Sequence, residues 1–194
     1  NIKTDYNNIP IKPQRAIKDI LDASENSITV SDAGTHTTWV TLLKKIKRPS
    51  SLIFSGGFGP MGYGLPAAIG AALAEPEKNV VLITGDGGFQ MTMQELAVIA
   101  QENIPILICI INNCCLGIIK QWQDMQYRKR FEVELENPDF VEIAKAYGIK
   151  AERIASPEKI FKAVENALKL KEPYLIDIMI DKEEGIILPK INPK

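Results

Sequence analysis

Histidine occurs once and cysteine three times in 194 residues, and these shortages remove several chemistries at the outset. One histidine cannot build a histidine-rich zinc site, and no Cys-x-x-Cys pair replaces it. Cys114 and Cys115 are adjacent and Cys109 lies in an apolar run, which is no disulfide framework and leads us to expect a reducing, cytoplasmic setting. A metal would have to be held by oxygen, which favours magnesium or calcium. An excess of either charge is lacking too: 23 Lys+Arg stand against 24 Asp+Glu, without the basic footprint of a nucleic-acid binder. The most basic cluster, Arg128-Lys129-Arg130, is answered by Glu132, Glu134 and Glu136. No apolar run approaches the roughly 20 residues of a membrane span. The longest, Ile104 to Ile111, contains Pro105. The polar start from Asn1 to Asn8 does not read as a signal peptide. Because the first residue is not Met, a piece of a longer protein is expected.

What is present suits one packed domain over residues 1–194, with 1–9 and 183–194 as peripheral tails: 45% of residues are hydrophobic and 24% charged. Strands are expected at Ser27–Ser31, Ser51–Phe54, Asn79–Thr84, Ile104–Ile111, Lys150–Ile154 and Tyr174–Ile180. Helices are expected at Pro13–Glu25, Leu65–Ala74, Phe89–Glu102, Leu116–Asp124 and Asp139–Tyr147, and from a Ser156-Pro157 cap to about Leu170. Strands alternating with helices predict an α/β fold: a doubly wound, mainly parallel sheet with helices on both faces.

Ligands of such sheets bind beyond the carboxyl ends of the strands. Four of those ends carry unusual residues: Asp32-Ala33-Gly34, Gly56 to Gly64, Gly85-Asp86-Gly87-Gly88 and Asn112-Asn113. Gly57-x-Gly59-x-x-Gly62 reproduces a dinucleotide fingerprint, but Pro60 removes an amide that a pyrophosphate turn uses. The Gly85–Gly88 and Asn112-Asn113 turns are separated by one helix and one strand, which makes them neighbours on one sheet edge. Glycines admit a diphosphate to the backbone. Asp86 would repel that diphosphate unless a divalent cation stood between them, and Asp86, an Asn113 amide oxygen and a backbone carbonyl are oxygen donors suited to Mg²⁺.

Gly85-Asp86-Gly87 followed by Asn112-Asn113 is the signature of thiamine-diphosphate enzymes. The run Ser55 to Ala71, Gln94-Glu95-Leu96, Leu116-Gly117 with Gln121-Trp122, and Asn137-Pro138-Asp139-Phe140 resemble the C-terminal, thiamine-diphosphate-binding domain of acetolactate synthase large catalytic subunits. The likeness extends over nearly the whole chain. It implies Asp86, Asn113 and the Cys115 carbonyl as Mg²⁺ ligands, and Gly34, Thr35, His36, Gly87, Gly88, Leu116 and Gly117 around the diphosphate. It also implies that the Gly59 carbonyl accepts from the aminopyrimidine, that Met61 wedges under the two rings, and that Trp122 lies over the substrate. Thr35, Thr38, Ile118 and Leu188-Pro189-Lys190 depart from the family's usual residues.

The implied chemistry is decarboxylation of pyruvate and condensation of the enamine with a second 2-ketoacid, in branched-chain amino-acid biosynthesis. The glutamate that activates the cofactor would come from a pyrimidine-binding domain of the same or a neighbouring subunit, and FAD would occupy a middle domain. This chain alone would be inactive. A homodimer or larger assembly and a regulatory subunit are further implications. Three readings remain open beside it: the β subunit of a split, sulfopyruvate-type decarboxylase, a non-catalytic cofactor-binding homologue, and a nicotinamide oxidoreductase. The irregular stretch from Asp124 to Pro138, beside the site, is a candidate lid.

Overall fold

The expected strands lie within two residues of their predicted ends in the computed structural model, which describes residues 2–186. They are β1 (Ile28–Ser31), β2 (Leu52–Phe54), β3 (Val80–Gly85), β4 (Ile106–Asn112), β5 (Lys150–Ile154) and β6 (Tyr174–Met179). They pair in parallel in the order β2-β1-β3-β4-β6-β5. Every residue of β4 is buried, as a central strand covered on both faces requires.

Alternate residues of the strands feed two cores. On one face Val81, Ile83, Cys109, Ile111 and Ile176 pack under α1 (Pro13–Ala23), α2 (Thr35–Leu43) and α8 (Ile160–Leu170), through Ile17, Ile20, Trp39, Val40 and Val164. On the other, Val30, Leu82, Ile108, Ile110 and Leu175 meet α3 (Gly64–Ala74), α4 (Asp86–Thr92), α5 (Leu96–Gln101) and α7 (Phe140–Ala146). Phe89 of α4 and Phe140 of α7 are fully buried and meet edge to face, with centroids 5.5 Å apart at 86°. Burying each ring contributes about 1.5–3 kcal/mol, and the contact locks the helix that begins at Asp86 onto the one that follows Asp139.

Several helices differ from expectation. The β-branched run Thr35-His-Thr-Thr-Trp-Val-Thr has weak helix propensity, and no helix was expected there. The structure makes it α2, because that conformation buries Trp39 and Val40 against the sheet. The helix expected over Phe89–Glu102 starts three residues earlier, at Asp86, and is broken by a 3₁₀ turn at Met93–Glu95. Gly87 and Gly88 are therefore helical rather than a loose turn. Ser156 makes no side-chain cap, and Pro157–Lys159 forms a 3₁₀ turn before α8. Asp139 lies just outside α7 as its cap, accepting from the amides of Val141 (3.0 Å) and Glu142 (3.2 Å).

The last predicted helix to be placed, α6 (Gly117–Gln126), extends two residues further than expected. The stretch after it is not irregular throughout. Leu116 N donates to Val133 O (2.8 Å) and Leu135 N to Cys114 O (2.9 Å), an antiparallel bridge over the end of β4. Residues 183–186, expected as tail, are anchored: Glu183 pairs with Lys120 (3.1 Å) and Arg130 (2.8 Å), and Glu184 with Lys12 (2.8 Å). Leu188-Pro189-Lys190 and the rest of that predicted tail lie outside the described residues. Among the described residues no helix is long and apolar enough to cross a membrane.

The chain leaves β1 toward β2 and returns on β1's other side for β3. This reversal opens a crevice at the carboxyl ends of β1 and β3, the place where doubly wound sheets bind ligands.

Candidate functional site

A cavity of about 370 Å³ occupies that crevice. Its walls are the residues after β1 (Ala33 to His36), the β3–α4 junction (Gly85 to Gly88), and the β4–α6 junction (Asn113 and Cys115 to Ile119), closed by Gly59, Met61, Ile111 and Ile180. Every predicted cofactor or metal residue lines it: Gly34, Thr35, His36, Gly59, Met61, Asp86, Gly87, Gly88, Asn113, Cys115, Leu116 and Gly117. Trp122 does not. It stands further along α6, 56% exposed.

Two glycines show why the sequence is constrained here. Gly62 adopts φ +87° and donates to both Asp32 carboxylate oxygens (3.1 Å each), fixing the turn that carries Gly59 and Met61. A Cβ on Gly87 would lie 3.1 Å from Met61 Cε, 3.2 Å from Leu116 Cδ2 and 3.3 Å from Leu135 Cδ1. The bare backbone of Gly87 is therefore the floor on which three apolar side chains converge. The Gly57–Gly62 segment is interrupted by Pro60 and held through Gly62 N by the Asp32 carboxylate, which is no dinucleotide turn.

Asp86 is buried, and burial raises its pKa. Hydrogen bonds pull the other way, foremost from Asn137, whose Nδ2 donates to Asp86 Oδ2 at 2.7 Å. The same Nδ2 donates to Asn112 Oδ1 (3.0 Å), and Asn137 Oδ1 accepts from Gln90 (2.9 Å). Asn113 Oδ1 accepts from Cys115 N (3.2 Å) in an Asx turn, with Cys114 in the left-handed region at φ 51°. The bridge to Val133–Leu135 uses the Cys114 carbonyl and the Leu116 amide, leaving the Cys115 carbonyl out of that ladder.

His36 is buried, with Nε2 3.1 Å from Asp32 O. Desolvation pushes its pKa down to about 4, so at neutral pH the ring is uncharged. Nε2–H must donate to the carbonyl, and Nδ1 is left as an acceptor. Burial also raises the thiol pKa values, Cys115 to about 11 and Cys114 in the same direction. Both remain protonated thiols at neutral pH, as expected of residues whose backbone matters more than their sulfur.

Among the described residues, lysine and arginine are absent from the lining, and its one carboxylate is Asp86. An anionic ligand here would be met by backbone amides of the open first turns of α2 and α6 and would need a cation between itself and Asp86. The donor set passes that test for Mg²⁺, since it offers a carboxylate, an amide oxygen and a main-chain carbonyl. It fails for zinc: among the described residues no three His, Cys, Asp or Glu side chains cluster.

The supports of these residues carry no local motif. Asp32 was visible only as the end of a strand, yet its carboxylate binds Ala33 N (2.6 Å), Gly62 N and Thr84 Oγ1 (3.2 Å). Asn137 lay inside a quoted motif without a role. Asp177 is fully buried in β6. A lone charge in an apolar strand was the available signal.

A parallel doubly wound sheet with a metal-competent, glycine-floored cavity at its switch point defines a diphosphate-cofactor domain. The chain belongs to the family described as thiamine pyrophosphate enzyme, C-terminal TPP binding domain, whose model matches residues 32–178. It is similar to the probable acetolactate synthase large subunit of Methanocaldococcus jannaschii, with 46% identity over 97% of this chain and 33% of that protein. It is also similar to the acetolactate synthase large subunit of Lactococcus lactis, with 43% identity over 93% and 32%. The resemblance read from the sequence is borne out. Among solved structures, the thiamine diphosphate-dependent 4-hydroxybenzoylformate decarboxylase of Rhodococcus jostii RHA1 superposes with a TM-score of 0.86 at 25% identity, over 93% of this chain and 34% of that one. The chain spans about a third of the length of these relatives.

Proposed function

We propose that this chain is the diphosphate- and magnesium-binding part of an acetolactate synthase. The observation that carries the reading is the cavity lining, which among the described residues combines one carboxylate, no cation and a glycine floor. Asp86, Asn113 and the Cys115 carbonyl hold Mg²⁺, while Gly34, Thr35, His36, Gly87, Gly88, Leu116 and Gly117 surround the diphosphate. The Gly59 carbonyl accepts from the aminopyrimidine, and Met61, half-buried over Gly87, supports the rings from below. Trp122, outside the cavity, faces the larger 2-ketoacid acceptor. Bound thiamine diphosphate supplies the electron sink for pyruvate decarboxylation and transfer of the two-carbon unit. The chain's own work is to orient that cofactor and to exclude charge other than Asp86 from its diphosphate end.

The activating glutamate belongs to a pyrimidine-binding domain, of this or a neighbouring subunit, and FAD to a middle domain. A cytoplasmic homo-oligomer in branched-chain amino-acid biosynthesis, with or without a regulatory subunit, completes the proposal. The test is acetolactate formation from pyruvate by the intact protein with thiamine diphosphate, Mg²⁺ and FAD. Acetolactate, lost on Asp86→Ala, is expected. Acetaldehyde as the only product would make it a decarboxylase, and no consumption of pyruvate would leave a binding module.

A further inference from the structure

Behind the Asp86 carboxylate runs a row of polar side chains that ends at the Arg153–Asp177 pair of β5 and β6. Arg153 Nε donates to Asp177 Oδ2 (2.8 Å), and Asn112 Nδ2 donates to Asp177 Oδ1 (3.0 Å). Asn112 Oδ1 accepts from Asn137 Nδ2 (3.0 Å) and from Cys114 N (3.2 Å). Asn137 Nδ2 also donates to Asp86 Oδ2 (2.7 Å). Asp177 is wholly buried, Asn112 is buried, and Asn137 is half-buried.

The direction of each bond in this row follows from its ends. A carboxylate only accepts, so Asp177 forces the Asn112 amide to present NH₂ toward β6 and oxygen toward the site. That oxygen then calls for donors, and it receives the Cys114 amide and the Asn137 NH₂. With its NH₂ turned inward, Asn137 reaches Asp86 with its second proton, and its own oxygen takes the proton of Gln90. Were Asn112 reversed, its NH₂ would face the Cys114 N–H and the Asn137 NH₂, donor against donor. Asp177 thus selects one of two orientations for two amides in series.

We propose that Asp177 is a positioning residue that, through Asn112 and Asn137, orients the Asp86 carboxylate and the Asn113–Cys115 turn for Mg²⁺. The inference rests on the functional reading above. Arg153 supplies the buried carboxylate with its counter-charge and ties the row to the α7 cap through Asp139 (3.1 Å). The row engages Oδ2 of Asp86 and the side chain of Asn112, and leaves Asn113 and the Cys115 carbonyl outside its own bonds.

The test is calorimetric titration of Mg²⁺ into the intact protein at saturating thiamine diphosphate. Asp177→Asn removes the selecting charge with almost no change of shape, and about tenfold weaker Mg²⁺ binding is expected. Asn112→Asp alone sets two carboxylates against each other and is expected to weaken binding similarly. The exchange Asn112→Asp with Asp177→Asn restores a complementary pair, with Arg153 donating to the new amide oxygen. It should recover affinity to within about threefold, a coupling that loss of stability alone would not produce. Asp181→Asn, two residues beyond β6, removes one of the two carboxylate partners of Lys12 and should leave Mg²⁺ affinity unchanged. If Asp177→Asn fails to fold, Asn137→Ala in the loop decides, with the same tenfold loss expected. Wild-type affinity in Asp177→Asn, or in Asn137→Ala where that variant decides, overturns the proposal while leaving the functional reading standing. Absence of Mg²⁺-dependent binding in the wild type overturns that reading and this inference together.

Discussion

At the floor of the cavity, Asp86 and Asn112 are buried, each amide of Asn112 and Asn137 has partners on both sides, and a Cβ on Gly87 would press on Met61, Leu116 and Leu135. On the chain segments that continue from its lining, beside Gly59 and along and after α6, Phe58 is 94% exposed, Phe131 72%, Met125 61% and Trp122 56%. The floor is finished within this chain, whereas the apolar groups on these flanking segments have nothing described here to cover them. Polar groups removed from water must be satisfied locally, so the floor tolerates little change. Exposed apolar groups contribute little to the fold that carries them, and their value lies in what docks on them.

That contrast is tested first by removing the floor's charge. Asp86→Ala should abolish Mg²⁺-dependent binding of thiamine diphosphate, a loss above about 100-fold in calorimetry, because among the described residues no other carboxylate lines the cavity. Binding retained in the variant would place the metal elsewhere.

The dryness of the wall has its own signature in pH. The folded-state pKa of His36 is held near 4, below the ordinary value of 6.5, so folding favours the neutral ring. Its contribution is present above about pH 6.5 and is lost as pH falls toward 4, where the folded ring also takes up a proton. Denaturant unfolding should show a decline on the order of 2 kcal/mol across that window. His36→Gln should lack that part of the decline, and identical pH profiles would contradict a desolvated ring.

A smaller effect is expected from Gly117→Ala. The added Cβ would lie 2.8 Å from Asn113 Nδ2, displacing a proposed ligand while suiting the helix it starts. Mg²⁺ affinity should fall about tenfold with the unfolding temperature nearly unchanged. The smallest changes belong to the flanking segments: Phe58→Ser and Trp122→Ser should alter unfolding free energy by less than about 0.5 kcal/mol. Acetolactate formation by the intact protein should nevertheless fall. A large loss of stability in either variant would erase the distinction between floor and flanking segments.

The sheet was legible because its strands are β-branched and its punctuation is glycine and asparagine, both local signals. Within the cavity, the residues that expose backbone or a terminal oxygen to a ligand were legible for the same reason: Gly85-Asp86-Gly87 and Asn112-Asn113 sit in short motifs. The residues that hold those motifs were not, because their partners are remote in sequence. Asp32 meets Gly62 and Thr84, and Asp177 meets Asn112. Pattern alone does not report such pairings. Helix α2 escaped notice for a related reason, since burial of Trp39 and Val40 overrides the propensity of a threonine-rich run.

The most direct measurement of the account is a crystal structure of the intact protein grown with thiamine diphosphate and Mn²⁺ in place of Mg²⁺, with anomalous scattering locating the metal. One peak is expected, bounded by the Asp86 carboxylate, the Asn113 side-chain oxygen and the Cys115 carbonyl, with the diphosphate over Gly87. A peak ligated by other residues, or cofactor density away from this crevice, would contradict it.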